Sequence, residues 1–350
     1  MEITMDALGK SYSQMIKGEA VCQPRFDLRI PTRDPNKIYQ LGTMEGGSAC
    51  GYIAIRMKSD IIYESEYEGT RTREKYCVTP GTFCGLIFLF RVNNGEPLAL
   101  LNDGYLQHMR VGADSGLGVK YIAKEDAEVV GMMGSGGMAR SPIEAFQIVR
   151  NIKKVQVYSP TKAHREAYAR EIKEKYGIET VALDGPEDVY KGADILAGCT
   201  DATIPVILGK YVEKGTHVTC VGGRLDEETF RKIDAWLRFG NATPPIGQSE
   251  ITDEGIAYVT PQMKVARKGS TLDRNEIFKV IGDNKIVYLK DILENKKRGR
   301  NSPRDITFSE RGNLQGAQFH TVAGKVYELA EERGIGRKIP TEWFLQDIRD

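Results

Sequence analysis

The stretch VVGMMGSGGMARSP, residues 129–142, limits the possible folds of this chain more than any other segment. An apolar run ends at Gly134, three glycines fall within residues 134–137, and the pattern then resumes as a helix. Ordering glycine costs more conformational entropy than ordering any other residue, so such a cluster indicates a backbone that turns tightly or approaches something closely. The spacing G-x-G-x-x-A over residues 134–139 is typical of a loop that holds the phosphates of a dinucleotide, although a plain tight turn has the same composition.

The segments on both sides of this loop predict an α/β fold. Strand-like and helix-like patterns alternate from about residue 128 to residue 222, with a helix over 163–176, and this alternation is typical of βαβ units in a parallel sheet. The predicted strands are EVVGMM (128–133), KVQVYS (154–159), ETVALD (179–184), DILAGC (194–199) and HVTCVG (217–222). After the glycine loop, Ser141 and Pro142 are favoured residues for a helix cap and a first helical position. We therefore predict a Rossmann dinucleotide-binding domain here.

The region before residue 125 has a different pattern. The runs GYIAIRM, KYCVTP and CGLIFLFRV, with a turn at residues 93–95, predict the strands of a second domain. The chain has 350 residues, of which 41% are hydrophobic, which is enough for two domains with their own cores. The second domain is therefore expected to contain a sheet of its own.

Composition excludes several partner classes. The formal net charge is +1, so no overall field predicts a nucleic-acid or membrane partner, and a small molecule is the expected ligand. The chain shows neither a signal pattern nor a run long enough to span a membrane, and we expect a cytoplasmic protein. Six cysteines without a CxxC pair and four scattered histidines give no spacing for a metal site, so we predict no metal and buried free thiols.

The end of the second predicted strand bears on the choice of dinucleotide. NAD enzymes usually place Asp or Glu there to hold the ribose 2′-hydroxyl, whereas this strand ends at Ser159 and is followed by Thr161. Together with Lys162 and Arg165 these side chains suit a 2′-phosphate, so we favour NADP over NAD. The alternative is that both cations are ordinary charges on a helix surface, and NAD stays open.

Several segments together resemble the ornithine cyclodeaminase/mu-crystallin family. The most specific is residues 95–140, which joins the family's substrate arginine to its nucleotide loop, and the others are residues 21–28, VYSPT, residues 198–207, VTCVGG and residues 298–312. The resemblance implies a homodimer with a Rossmann domain, here 110–305, and an α+β domain formed by 1–109 and 306–350. This second domain would bind the substrate and pair the subunits. It also implies that the chain begins within the family's first helix.

The resemblance and the glycine loop together define the expected cofactor site. The residues predicted to bind NADP or NAD are Gly134, Ser135, Gly136, Gly137, Met138, Ala139, Ser159, Thr161, Lys162, Arg165, Cys199, Thr200, Val221 and Gly222.

The family clamps its substrate carboxylate with basic side chains, and three arginines match. Arg110 corresponds to the arginine of the family's LRTAAA element and is predicted to bind and orient the substrate in catalysis. Arg25 matches the arginine near the family's N-terminus, and Arg56 stands where the family usually has lysine, with Lys58 as the competing alignment. A guanidinium group binds a carboxylate through two parallel hydrogen bonds, which would fix the α carbon of a substrate. For each arginine, an ordinary ion pair is the alternative.

Two regions depart from the family pattern. Ornithine cyclodeaminases carry an aspartate after the GG or GA of the last nucleotide-domain strand, where this chain reads GGRLD. The aspartate is either replaced by Arg224 or displaced by two residues to Asp226, for which a helix cap is the alternative role. Near the C-terminus, ERGNLQGAQFH replaces the usual SVG…QD pattern and places Asn313, Gln315, Gln318 and His320 where the site would be rebuilt, although a packed histidine is the simpler interpretation of His320.

These features predict an NAD(P)-dependent oxidoreductase that acts at the α carbon of a small amino or imino acid, as an imine reductase or amino-acid dehydrogenase. One alternative is ammonia-eliminating cyclisation of a diamino acid, which requires an acid such as Asp226. Another is a nucleotide-dependent binding or accessory protein, because the family also includes small-molecule carriers and partner subunits of amine-oxidising systems. Fold alone does not choose among them.

Overall fold

A computed structural model of the chain describes residues 1–67, 69–242, 255–258, 274–310 and 314–348. Two eight-stranded sheets and the helices packed on them make up this part of the chain. The helices are α1 (Glu2–Lys17), α2 (Gly104–Ile122), α3 (Arg140–Val149), α4 (Lys162–Tyr176), α5 (Glu227–Lys232), α6 (Arg274–Ile281), α7 (Leu289–Leu293) and α8 (Gln315–Arg333).

The first sheet is antiparallel except at one edge. Its strands are β1 (Ala20–Cys22), β2 (Phe26–Pro31), β3 (Lys37–Ser48), β4 (Tyr52–Tyr67), β5 (Thr70–Tyr76), β6 (Cys84–Arg91), β7 (Pro97–Asn102) and β16 (Gly255–Tyr258). The order is β16-β2-β3-β4-β6-β7, with β1 on β3 and β5 on β4, and β16 runs parallel to β2. The predicted strand KYCVTP is wrong in its second half, because β5 ends at Tyr76 and residues 77–82 form a turn closed by a hydrogen bond from the Cys77 amide to the Thr82 carbonyl.

The second sheet is parallel throughout its described ladders. Its strands are β8 (Val129–Met133), β9 (Lys154–Tyr158), β10 (Glu179–Ala182), β11 (Ile195–Gly198), β13 (His217–Cys220), β15 (Ala235–Arg238), β17 (Ile286–Tyr288) and β18 (Thr307–Glu310). The order β10-β9-β8-β11-β13-β18-β15-β17 reverses direction between β8 and β11. A crevice forms at the carboxyl ends of the strands at such a point. A small pair, β12 (Pro205–Ile207) and β14 (Arg224–Leu225), lies beside this sheet.

The predicted fold class is confirmed: a parallel Rossmann-type sheet accompanies a second, largely antiparallel sheet. All five strands predicted between residues 128 and 222 form, and α4 covers the predicted helix over 163–176. The start of α3 differs from the prediction. A 3₁₀ turn over Gly137–Ala139 leads directly into α3 at Arg140, so Ser141 and Pro142 lie inside the first turn, where a missing proline N–H is still tolerated.

Helix α2 connects the two sheets. It contacts α1, α3 and α8 as well as strands β13 and β18, and most of its residues are buried. Gly112 and Gly118 allow these contacts, since an added Cβ would meet the Ser141 carbonyl carbon at 2.5 Å and Ser309 Oγ at 2.1 Å. Helix α8 packs on the first sheet in a similar way, because Gly316 lies against the backbone of Glu45.

The predicted division into domains 1–109 with 306–350, and 110–305, stays a proposal. Two elements lie elsewhere than those boundaries imply: β18 belongs to the parallel sheet, and β16 belongs to the first sheet. Among the described residues, no helix is long and apolar enough to cross a membrane.

Candidate active site

The glycine loop begins at the end of β8 with a backbone that only glycine readily adopts. Gly134 has φ +110, and a Cβ there would lie 2.2 Å from the carbonyl oxygen of Cys199. At Gly136, by contrast, φ is −74 and a Cβ would meet no heavy atom within 4 Å. The first glycine is therefore required by the turn and the second leaves open space above the loop, which fits a bound pyrophosphate.

Arg140 supports the loop from below, and the sequence interpretation missed it. Its guanidinium donates to the carbonyl oxygens of Ser135 (3.2 Å) and Gly136 (2.9 Å). It also forms a two-pronged ion pair with Glu171 of α4, with N–O distances of 2.6–2.9 Å. Because Arg140 binds these carbonyl oxygens on one side of the loop, it fixes the loop conformation and leaves the opposite side open.

At the end of β9 the predicted side chains are engaged in different ways. The hydroxyl groups of Ser135 and Ser159 are 2.8 Å apart, which brings two predicted cofactor residues together. Thr161 Oγ1 donates to the hydroxyl of Tyr67, 3.1 Å away, so the long β4–β5 hairpin reaches this strand end. Lys162 is exposed, with Nζ 3.9 Å from Glu166.

Arg165 is buried, unlike the surface charge that a helix position would suggest. It donates to the carbonyl oxygens of Ser159 and Pro160, both at 3.1 Å, and to Asp184 Oδ1 at 2.5 Å. Arg165 therefore fixes the turn after β9 and brings an exposed carboxylate, Asp184, to this edge of the sheet.

The other predicted cofactor residues lie at the carboxyl ends of β11 and β13. The Cys199 amide donates to the Met133 carbonyl at 2.7 Å, which joins the β11 loop to the strand before the glycine loop. The amides of Val221 and Gly222 both donate to Gly198, and a Cβ on Gly222 would lie 2.6 Å from the Thr200 carbonyl oxygen. The structure thus brings the predicted cofactor segments to the carboxyl ends of the neighbouring strands β9, β8, β11 and β13.

The first sheet presents a row of buried charges from strand β4. Arg56, Lys58 and Asp60 alternate on one face and are 2%, 9% and 1% exposed. The two positions paired with Lys58 are glycines, Gly42 on β3 and Gly85 on β6, and carboxylates occupy the space that their side chains would fill. A Cβ on Gly42 would lie 2.4 Å from Asp27 Oδ1, and one on Gly85 would lie 2.0 Å from Asp103 Oδ1.

Each cation on this face is held by a carboxylate. Arg56 bonds Asp103 Oδ2 through Nε at 2.6 Å and Nη2 at 2.5 Å. Lys58 Nζ is 2.7 Å from Asp60, and Arg25 forms a two-pronged pair with Asp27. Burial of charges at this density is unfavourable without such partners, and the roles of Arg25 and Arg56 in substrate binding stay predictions.

Burial shifts the proton affinities of this row. Desolvation, followed by the charge of Arg25, lowers the pKa of Lys58 to about 8, against the opposing effect of Asp60 and Asp27. Desolvation also lowers the pKa of Arg56, and Arg25 adds to that effect. Arg25 is thus close enough to lower the pKa of both Arg56 and Lys58, the two candidates for the position where the family usually has lysine.

Arg110 reaches the same place from helix α2. Its guanidinium carbon lies 4.6 Å from the ring centroid of Phe319, and that of Arg56 lies 5.2 Å from the same ring. Arg110 donates to the amide oxygen of Gln107 from Nε (3.2 Å) and Nη2 (2.7 Å), and to that of Gln318 from Nη1 at 2.5 Å. The structure therefore brings the predicted arginines of three separate sequence segments together.

Behind Arg110 lies a buried polar network that sequence reasoning missed except for Gln318. Gln318 Nε2 donates to the Tyr12 hydroxyl at 2.7 Å and to Asp114 Oδ1 at 3.1 Å, and Tyr12 donates to the same carboxylate oxygen. Burial, followed by the charge of Asp114, raises the pKa of Tyr12 well above its ordinary value. The network fixes the Arg110 side chain through Gln318, because Gln318 is itself held by Tyr12 and Asp114.

His108 lies between the glycine loop and the charged face, and it was also missed. Its Cε1 atom would be 3.0 Å from a Cβ on Gly137. Desolvation lowers its pKa, and the charges of Arg140 and Lys75 add to that effect while Asp103 opposes it. His108 is therefore close to both the loop and the Arg56–Asp103 pair.

Other predicted residues lie elsewhere or have structural partners. Asp226 Oδ1 accepts from the amides of Thr229 (2.7 Å) and Gly209 (2.9 Å), as an N-cap of α5, and its predicted catalytic role stays a prediction. His320 lines a cavity of about 590 Å³ between α1 and the β3–β4 turn, and burial lowers its pKa to about 4. Gln315 is buried one turn before Gln318. Asn313 is outside the described residues.

Comparison with known proteins identifies the family. A model of the ornithine cyclodeaminase/mu-crystallin family matches residues 67–333. The chain belongs to the ornithine cyclodeaminase/mu-crystallin family. Among curated members of this family, a Delta(1)-pyrroline-2-carboxylate reductase from Bacillus cereus is 32% identical over 261 residues, which is 74% of each chain. The predicted family is thus confirmed.

Solved structures of other family members have the same fold. The Delta(1)-pyrroline-2-carboxylate reductase of Thermococcus litoralis, in complex with NADH and L-proline, superimposes with a TM-score of 0.74 at 24% identity and covers 96% of this chain and 95% of its own. An archaeal alanine dehydrogenase dimer with bound NAD gives a TM-score of 0.72 at 21% identity, over 97% and 94% of the two chains. At these identities the likeness supports the fold.

Proposed function

We propose that this chain is an NAD(P)H-dependent reductase of a small α-imino acid, with amino-acid oxidation as the reverse reaction. The observation that carries the proposal is the position of Arg56 and Arg110 on one aromatic ring, with His108 between them and the glycine loop. Two guanidinium groups suit a carboxylate, and an α-imino acid places its reacting carbon next to that carboxylate. The names of the relatives, reductases and dehydrogenases, belong to the same class.

The residues around the crevice fit a dinucleotide. Gly136 leaves room for a pyrophosphate, and the loops after β11 and β13 stand beside it. When bound, the cofactor supplies a hydride to the substrate carbon. The tight packing of Gly134 on Cys199 keeps the glycine loop against the parallel sheet. A cofactor bound there can therefore lie close to the substrate held by Arg56 and Arg110.

We assign the substrate carboxylate to Arg110 and Arg56, with Arg25 at the edge of the same face. Lys58 is the proposed proton donor to the substrate nitrogen, because a pKa of about 8 lets the ammonium group lose a proton near neutral pH. Asp60 holds that ammonium group at 2.7 Å. Phe319 and the buried sheet face keep water away from the reacting centre.

The nucleotide is proposed to be NADPH or NADH, with Lys162 as the residue that favours the phosphorylated form. Lys162 is exposed near the end of β9, where a 2′-phosphate would lie, and Thr161 is next to it. Arg165 would have to give up Asp184 to join them. Asp184 itself, an exposed carboxylate, suits a ribose hydroxyl.

Ornithine-type cyclisation is not the function that we propose. It needs a carboxylic acid at the substrate nitrogen, and the candidate Asp226 accepts three hydrogen bonds from Gly209 and Thr229 as a helix cap. These three hydrogen bonds are those of a helix cap, so the geometry favours the structural interpretation.

We also propose that the protein is a homodimer, paired through the outer face of the first sheet. The side of β2, β4, β6 and β7 opposite the charged row carries apolar side chains that are 36–56% exposed. They are Phe26, Leu28, Ile30, Ile53, Ile55, Phe88 and Leu100. A continuous apolar patch of this kind is rare on a monomer and typical of an interface.

The experiment that tests the proposed function is a substrate panel. Purified protein is mixed with NADPH or NADH and with cyclic or acyclic α-imino acids, the latter formed from 2-oxo acids and ammonia, and the loss of nicotinamide absorbance is followed. Oxidation with a carboxylate-bearing imine supports the proposal. No oxidation of the nicotinamide with any compound of the panel, by a protein whose nucleotide binding is demonstrated by a raised Tm, would contradict it.

A further inference from the structure

The segment Cys77–Cys84 brings two thiols together beside the charged face. Strands β5 and β6 both pair with β4, and the register places Tyr76 opposite Ile61 and Cys84 opposite Ser59. The two cysteines therefore lie next to the same short stretch of β4. The two thiols are close enough that Cys77, after the effect of burial, helps to raise the pKa of Cys84.

The turn between the cysteines keeps them close. The Cys77 amide donates to the Thr82 carbonyl at 3.0 Å, and the Thr82 hydroxyl donates to the carbonyl oxygens of Thr79, at 2.7 Å, and of Cys77. Val78 at the tip has φ +68 and is 89% exposed. The prediction of buried thiols is correct for Cys22 and Cys199 and wrong for the other four cysteines: Cys50 is exposed, and Cys77, Cys84 and Cys220 are half-buried. An oxidant can therefore reach the thiols of this pair.

The same segment contacts the substrate-binding face. The ring of Phe83 lies 5.7 Å from the guanidinium carbon of Arg56, and Gly85 packs against the Asp103 carboxylate that holds Arg56. A covalent bond between the sulfurs on both sides of Phe83 would draw the turn tighter and move this ring relative to Arg56.

We propose that Cys77 and Cys84 form a reversible disulfide that controls access to Arg56. A hydroperoxide such as hydrogen peroxide is the oxidant. One thiol loses its proton, and the thiolate attacks a peroxide oxygen. The O–O bond breaks, the departing hydroxide takes up that proton to form water, and the sulfur remains as a sulfenic acid. The second thiol then attacks this sulfur, the S–O bond breaks and water leaves. Two thiols are oxidised and one peroxide is reduced to two waters.

The disulfide can be tested without any assay of turnover. Both cysteines fall on one tryptic peptide, Tyr76–Arg91, which has no lysine or arginine before its last residue. After hydrogen peroxide and alkylation, we expect this peptide from the full chain to lose the mass of two hydrogens, and dithiothreitol to restore them. The variant Cys50→Ser, at an exposed cysteine outside the pair, should behave like the wild type. Cys77→Ser and Cys84→Ser should take up oxygen instead.

Two outcomes would overturn the disulfide. One is a wild-type peptide that takes up oxygen atoms without losing hydrogens at the same dose. The other is a wild-type product in which the Tyr76–Arg91 peptide is linked by a disulfide to a peptide that carries a different cysteine, which would assign the bond to other thiols.

The effect on Arg56 rests on the proposed function and has a separate readout. We expect oxidation to raise the KM for the carboxylate substrate several-fold in the wild type and in Cys50→Ser, and to leave Cys77→Ser unchanged. An unchanged KM in a fully oxidised wild type would overturn the control of Arg56, while the mass measurement would stand. If no substrate turns over at all, the proposed function fails and the mass result is unaffected.

Discussion

Arg56 of strand β4 and Arg110 of helix α2 stack on the same aromatic ring, with their guanidinium carbons 5.2 and 4.6 Å from the centroid of Phe319. Two like charges lie this close only because Asp103 pairs with the first and the amide oxygens of Gln107 and Gln318 bind the second. Burying both guanidinium groups costs desolvation free energy, and an anion bound between them would offset that cost.

Replacing Arg110 by lysine tests this arrangement. Lysine keeps the charge but loses the planar fork, so we expect kcat/KM for the imino acid to fall by about 100-fold, while nucleotide binding is retained. Steady-state kinetics and thermal protection by NADPH measure the two effects. Arg170→Lys, at an exposed position on α4, is the matched control. A drop of less than about threefold in Arg110→Lys would argue against a substrate contact.

The two glycines of the loop should respond differently to alanine. Gly134→Ala forces φ +110 on a residue with a Cβ that meets the Cys199 carbonyl at 2.2 Å, and we expect a clear loss of stability. Gly136→Ala meets no protein atom, so the Tm of the free protein should be unchanged while the Kd for NADPH rises by about tenfold. Calorimetry and ligand titration separate the two. Gly9→Ala in α1 is the control, and equal effects of both loop variants would contradict the assignment.

The rate of reduction should depend on pH through Lys58. The protonated ammonium donates the proton, so kcat/KM should be highest below about pH 8 and fall as the pH rises through that value. Lys58→Arg stays protonated, and we expect a lower rate without the alkaline fall. The pH profiles of both proteins, with the exposed Lys173→Arg as control, measure this. An unchanged alkaline limb in Lys58→Arg would assign it to another group.

Stability should fall on mild acidification because of His217. Burial lowers the pKa of His217 to about 3, from 6.5 in an unfolded chain. Between these values the unfolded state binds more protons, so the stability that His217 contributes is complete above pH 6.5 and decreases towards pH 3. The slope is up to about 1.4 kcal/mol per pH unit. Urea unfolding at pH 7 and pH 5 should show a smaller difference for His217→Gln than for the wild type or His164→Gln. An equal change in the free energy of unfolding between the two pH values in all three proteins would refute the role of His217.

Lys162 should set the preference between nucleotides. Because the 2′-phosphate is the only difference between the two cofactors, Lys162→Ala should raise the KM for NADPH by about tenfold and leave that for NADH within twofold. Initial rates with each nucleotide measure the ratio. If both values change equally, Lys162 does not contact the phosphate, and an initial preference for NADH in the wild type would favour Asp184 on the ribose.

Local patterns predicted the elements of the parallel sheet well. The glycine spacing at 134–139 and the alternation of strands and helices depend on neighbours in the sequence, and all five predicted strands form. The start of α3 was misplaced, because a 3₁₀ turn can extend a helix without any cap signal.

The substrate half required contacts that sequence spacing does not encode. Arg110 and Gln318 are 208 positions apart, and Tyr12 reaches Asp114 across 102 positions. Asp103 could be identified as the partner of Arg56 only from the packing of β6 and β7 in the structure. One signal was available: a buried strand with charged residues at alternate positions, as in residues 56–60, is unusual and indicates a site on one face.

The most direct measurement compares Delta(1)-pyrroline-2-carboxylate with the same ring lacking its carboxylate, each mixed with NADPH or NADH and the wild-type protein. If Arg56 and Arg110 bind the carboxylate, nicotinamide oxidation should be rapid with the first compound and at least about 100-fold slower with the second. Equal rates, or no oxidation with either compound or with acyclic α-imino acids by a protein that binds the nucleotide, would contradict the proposed function.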